Sequence, residues 1–186
     1  LQLLDGQTGT VSATALETAK INLFTSWGFT VNLISAAQPA TDFTAAIGNN
    51  DVIFVSSEPS VSTAQNVVST ATIGVVNENP DLVESLGFCK GPKSVSGTTL
   101  VIGDVSHYVT QANTPLQQVA EVSKTLAMPA FSLQMSPGAT ILGTNPVDFN
   151  VSCAAIGKGK RSADLIAVPA RRFQLPWVAA SFDSSN

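Results

Sequence analysis

The stretch Asp51 to Glu58, DVIFVSSE, holds four consecutive apolar residues, Val52, Ile53, Phe54 and Val55, between polar flanks. Such a run is too short for a helix and reads as a strand buried on both faces, the kind found in parallel sheets covered by helices. Helix-like and strand-like segments alternate around it. The pattern therefore predicts a three-layer α/β domain with this segment as the central strand of a parallel sheet. At 186 residues, 44% of them apolar, the chain can fill one sizeable core, and a single domain over 1–186 is expected.

Leu1 to Asp5 reads as a first strand. From Ser12, an N-cap candidate, Ala15, Leu16, Ala19, Leu23 and Trp27 recur at three- and four-residue steps, predicting a helix that buries that stripe and ends at Gly28. Phe29 to Ile34 alternates apolar and polar as a second strand, and Pro39 opens a short helix through Ile47. Beyond the central strand come a helix over Ser62 to Ser69, a strand over Thr72 to Val76, and a short helix begun by Pro80 and closed by Gly87. Right-handed crossovers give the four parallel strands the expected spatial order 2-1-3-4.

The second half has a different texture. Thr98 to Val105, Leu126 to Gln134, Thr140 to Leu142, Phe149 to Ile156 and Leu165 to Val168 are short β-like runs, and Pro115 to Thr125 has helical spacing. These predict mixed strands that extend the sheet.

Charge narrows the functional classes. Charged residues make up 12% of the chain, against about 25% in an ordinary domain, and the net charge is −4. A phosphate-backbone partner is disfavoured, since Lys158, Lys160 and Arg161 form the only tight basic group. No run of 18 uncharged apolar residues exists, so no helical membrane span is expected. Cys89 and Cys153 lack a metal or redox spacing, leaving a disulfide or two buried thiols. A disulfide would close a loop of about 64 residues and stabilise the fold by roughly 4 kcal/mol in the chain-entropy account. Asn150-Val151-Ser152 is a glycosylation sequon that points to a secretory route. The chain opens inside a strand candidate and stops just after a new segment begins, so it is expected to be a piece of something longer.

The order of pieces resembles the class I glutamine amidotransferase-like domains, flavodoxin-like in layout, and especially their non-catalytic relatives. The matching stretches are LLDG, WGFTVNLI, DVIFVSSE, TIGVVNEN, VIGDVSHYVT and ADLIAVPARRFQLPW, the last looking like a closing strand with paired arginines. In the glutaminases of that group a Cys stands on the elbow after the fourth strand, activated by a His and facing backbone N–H donors. Here the elbow reads Val76-Asn77-Glu78-Asn79-Pro80, without a nucleophile. The resemblance thus implies a copy that lacks the acyl-transfer chemistry.

In open α/β sheets ligands sit beyond the carboxyl ends of the strands. That edge is expected to carry Asp5, Glu58, Asn77 and Glu78, with His107 and Arg171 or Arg172 nearby. Three carboxylates there could hold a cation or act as an acid/base pair; the competing reading has Asp5 and Glu58 capping helices and pairing with Arg171. His107 lies close to Asp104 and Tyr108 in sequence, a conceivable Asp-His base. Ser56, Ser57 and Ser106 lack the GxSxG setting, and Gly157-Lys158-Gly159-Lys160-Arg161 lacks the P-loop pattern and reads as a solvated hairpin turn. Trp27 and Trp177 are expected in the core, with Trp177 an alternative stacking platform for carbohydrate. No cofactor is expected. The resulting expectation is a non-catalytic structural or interaction module of a larger secreted or cell-surface assembly, partnered by other domains or copies of itself. The alternative is a hydrolase or carbohydrate-processing enzyme using Asp5, Glu58, Glu78 and His107.

Overall fold

A computed structural model describes residues 2–5, 12–57, 64–120, 126–131 and 134–176. In its first half, strands β1 (Gln2–Asp5), β2 (Asn32–Ser35), β3 (Val52–Val55) and β4 (Gly74–Asn77) alternate with helices α1 (Ala15–Ser26), α2 (Ala40–Gly48) and α3 (Ala64–Thr70). The strand pairs β1–β2, β1–β3 and β3–β4 are all parallel, and the four lie in the order β2-β1-β3-β4. Phe24 of α1 meets Phe54 of β3 with ring centroids 4.9 Å apart. Phe43 of α2 and Val68 of α3 belong instead to the cluster of Ile53, Val55 and Val75. Successive strand residues point to opposite faces, so α1 covers one face and α2 and α3 the other. Right-handed crossovers demand this, because the chain steps one way from β1 to β2 and the other way from β2 to β3 and β4.

Helix α1 departs from the expected stripe. Its N-cap is Thr14, not Ser12: the Thr14 hydroxyl accepts from the Glu17 amide at 3.2 Å, and the Glu17 carboxylate accepts from the Thr14 amide at 2.8 Å. This reciprocal cap contributes about 1 kcal/mol. The buried residues of the helix are Glu17, Lys20 and Phe24, one line at steps of three and four, while Ala15 is exposed and Trp27 is 62% exposed. Two charged side chains thus take the inward positions assigned to Ala19 and Leu23, because Glu17 closes the N-cap on the Thr14 amide and Lys20 finds Glu78 and Ser56 below the helix. Gly28 follows the helix at φ 90°, as a left-handed residue after the C-cap should.

The second half supplies β5 (Lys93–Gly97), β6 (Thr99–Ile102), β7 (Gln118–Ala120), β8 (Leu126–Ala130), β9 (Ala139–Thr144), β10 (Val151–Ile156) and β11 (Arg172–Gln174). Strand β11 lies parallel beside β4, and β10, β9, β6 and β7 follow antiparallel, giving nine strands in one sheet among the described residues. A separate pair, β5 and β8, stands apart as its own antiparallel ribbon. Several expectations fail here for local reasons. The described part of the expected helix, Pro115 to Ala120, is not helical: Leu116 sits at φ 62°, which breaks helical continuation, and Gln118–Ala120 pair with β6, while 121–125 lie outside the described residues. Leu165 to Val168 is not a strand but a turn stitched by one Arg161–Ala167 bridge. Phe149 sits at φ 58° in the turn before β10, so that strand begins only at Val151. The segment begun by Pro80 makes a single 3₁₀ turn, Pro80–Leu82.

No disulfide joins Cys89 to Cys153. Cys89 is buried in the cluster on the α2 and α3 face, and Cys153 in the cluster of Leu100, Ile102 and Leu142 on the other face, so the sheet itself lies between the two thiols. Burial, assisted by Glu84, pushes the Cys89 thiol up to about 11. We expect neither cysteine to react with an aqueous thiol reagent at pH 8 in the native protein and both to react in denaturant, read by mass spectrometry. Gly87 provides a second check: it sits at φ 81°, and a Cβ there would stand 2.6 Å from that of Ser162. Gly87→Ala should lower stability by about 1–3 kcal/mol in urea unfolding.

Candidate functional site

At the carboxyl ends of the parallel strands a buried polar cluster closes the sheet. Ser56 follows β3, Asn77 ends β4 and is followed by Glu78 and Asn79, and Gln174 ends β11; all five are at most 1% exposed. Lys20 reaches them from α1. Its Nζ donates to Glu78 Oε2 at 2.5 Å and to Ser56 Oγ at 3.0 Å, and lies 5.4 Å from the centre of the Phe54 ring. Both members of the Lys20–Glu78 ion pair have no exposed side-chain surface. Beside it, the Asn77 side-chain amide donates to Gln174 Oε1 at 2.6 Å and to the Asn79 carbonyl at 2.7 Å, while Asn77 Oδ1 accepts from the Asn79 amide at 3.1 Å. The Glu78 amide donates to the Val55 carbonyl, which fixes the elbow against β3.

This arrangement bears on chemistry. A general acid or base must come within hydrogen-bond reach of a substrate, and Glu78 is enclosed with its carboxylate on an ammonium. Of the other expected members, His107 is not brought to it. Asp5 ends β1, where it pairs with Ser35, and Glu58 lies outside the described residues. The half-buried His107 stacks on Tyr108, its Nδ1 accepts from the Val109 amide at 3.4 Å, and its neighbours line a groove at the opposite ends of the strands. Asp104 makes no base with it: Asp104 Oδ1 accepts from the Ser106 hydroxyl at 2.6 Å and amide at 2.7 Å, bonds that hold its carboxyl below the usual range.

The paired arginines divide. Arg171 is exposed, whereas Arg172 is 1% exposed and donates to backbone carbonyls of Ser69, Ala71 and Ile73 around the end of α3. Its burial lowers the guanidinium to about 10. The sequon Asn150 donates to Asp148 at 2.7 Å, and its Ser152 is fully buried under Asn145. The GKGKR stretch is a tight turn, with Gly159 at φ 77° and the Lys160 amide on the Gly157 carbonyl. Trp177 lies outside the described residues. Among the described residues no cluster of three His, Cys, Asp or Glu is placed to hold a metal ion.

The same sheet carries an open trough of about 690 Å³ on its α1 face, floored by Val52, Gly74 and Val76 and by Phe173 of β11. Tyr108 and Val109 form one wall, and Lys158 and Arg171 stand at its rim. It lies between the Phe24–Phe54 contact and the cluster around Leu100, Leu142 and Ala155.

Reading apolar spacing alone missed Lys20. The available signal was Glu17, Lys20 and Phe24 on one helical line, a charge-bearing stripe beside the apolar one. Removing one partner of an enclosed ion pair strands the other charge, so Lys20→Ala or Glu78→Ala should each cost about 3–5 kcal/mol. The double substitution Lys20→Met, Glu78→Leu should cost far less than the two single losses together. Denaturant unfolding of the four proteins checks the coupling.

No protein-family profile matches the chain, and no curated protein does. Among solved structures, a protein described as ThuA-like from Bacteroides uniformis matches with TM-score 0.51 and 14% identity, covering 97% of this chain and 83% of that one. The likeness is one of fold, a mixed α/β architecture with a sheet core and few helices.

Proposed function

We propose that the chain is a non-catalytic structural or interaction module, built on a flavodoxin-like three-layer layout and working within a larger secreted or cell-surface assembly. The observation that carries this reading is the state of Glu78. At the elbow where catalytic relatives of this layout would present a nucleophile, this chain places a carboxylate that is fully enclosed and paired with Lys20. A group so held secures the helix to the sheet and offers nothing to a substrate. The surface supports the same reading, because a chain with 12% charged residues loses little ionic hydration when a face is covered by a neighbour.

The test is a turnover panel of glutamine, ester and glycoside substrates on the purified chain, paired with cross-linking in the native source. We expect no turnover, and contacts with neighbouring domains or copies that bury more than about 1,000 Å². Hydrolysis of any of these substrates that disappears in Glu58→Gln or His107→Ala would overturn the proposal in favour of an enzyme.

A further inference from the structure

We infer that the trough on the α1 face binds a small amphiphilic carboxylate, an apolar chain or ring lying on the sheet with its acid group held between Lys158 and Arg171. Strand alternation builds the site. Arg172 turns to the other face and commits its guanidinium to the carbonyls around the end of α3, so its neighbours Arg171 and Phe173 project over the α1 face. Lys158 reaches the same place from β10, since Ile156 pairs with Arg172 and the two cations lie just beyond that pair. Among the described residues no second helix covers β4 and β11 on this face, and Gly74 in the floor adds no side chain to it. The aromatic wall is steadied by His107, whose ring stacks on Tyr108 with centroids 4.5 Å apart.

Charge identifies the occupant. The chain carries 13 acidic and 9 basic residues, yet no carboxylate lines the trough. Its polar side chains are Thr72, Tyr108, Lys158 and Arg171, and every one of them donates hydrogen bonds. All four are exposed, and none has a hydrogen-bond or ion-pair partner among the described residues, whereas Lys20 and Lys90 are both paired. An apolar floor with unpaired donors at its rim is complementary to a molecule with an apolar body and one anionic head. A bare phosphate would use the rim and leave the floor idle. The volume, about 690 Å³, lies in the range of small-ligand clefts.

The inference does not rest on the functional proposal, and the substrate panel above gives its answer independently of the binding test. That test is calorimetric titration of the intact chain with straight-chain alkanoates from hexanoate to dodecanoate, below their micelle concentrations, with decanol, decylamine and inorganic phosphate as controls. We expect one-to-one binding of the acids that tightens about two- to fourfold per added methylene until the floor is filled. Decylamine and phosphate should not bind measurably, and added salt should weaken the acids. Lys158→Glu together with Arg171→Glu, both at exposed positions, should weaken decanoate about tenfold. Gly74→Val should abolish binding by filling the floor while the chain still folds, because a Cβ there meets Val52 Cγ2 at 3.7 Å, an ordinary contact, and valine suits a strand. Denaturant unfolding checks that each variant is native. No saturable binding of any acid would overturn the inference. So would decanol, decylamine or phosphate binding as tightly as decanoate, or full affinity kept in both variants, which would place the acids elsewhere.

Discussion

The contact between Lys20 and Glu78 holds the fold at the point where two different kinds of order meet. One partner comes from the first helix and the other from the elbow after the fourth strand, 58 positions later, and both are withdrawn from water. Enclosed charges are costly to desolvate, so the pair is satisfactory only with geometry this close and with the additional Ser56 hydroxyl. It therefore fixes the position of α1 along β3 and β4 more narrowly than the Phe24–Phe54 contact could alone, because apolar surfaces slide at little cost and an ion pair does not. The adjoining Asn77–Gln174 bond extends the same polar seam to β11.

That seam also explains what kind of site the sheet end can be. Sheets of this layout offer their carboxyl ends to ligands because loops there leave a crevice. Here, among the described residues, Lys20, Ser56, Asn77, Glu78 and Gln174 bond to one another at that end, and an open trough lies on the face of the sheet. The acid/base group expected from Asp5, Glu58, Glu78 and His107 fails at Glu78, which is enclosed, and at His107, which belongs to a turn near the opposite ends of the strands.

The first half of the fold was legible because its strands announce themselves as short apolar runs and its helices end at Gly28 and begin near Pro39. The inward face of α1 was not, since a periodicity that ranks apolar residues inward has no means of seeing that Lys20 will find Glu78. The second half was harder for a related reason. β11 is three residues long and begins with an arginine that is buried only because carbonyls of a distant segment receive it, and β5, Lys93–Gly97, is mostly small and polar. Likewise Leu116 and Phe149 adopt left-handed backbone that their residue types do not advertise. Within the stretch from Pro115 that the spacing suggested as a helix, the described residues Gln118–Ala120 form a strand reached through such a turn.

The placement of β11 has a consequence for how the protein is made. The strand β11 lies between β4 and β10, and Arg172 bonds to carbonyls 99 to 103 positions earlier. During synthesis the parallel half can therefore form with β4 exposed as an unpaired edge, and must wait for β11, beginning at Arg172, to emerge before that edge is closed. Open edges of apolar strands invite pairing with other chains. The interval between the translation of β4 and that of β11 is the period in which a nascent chain of this design depends most on protection from its neighbours.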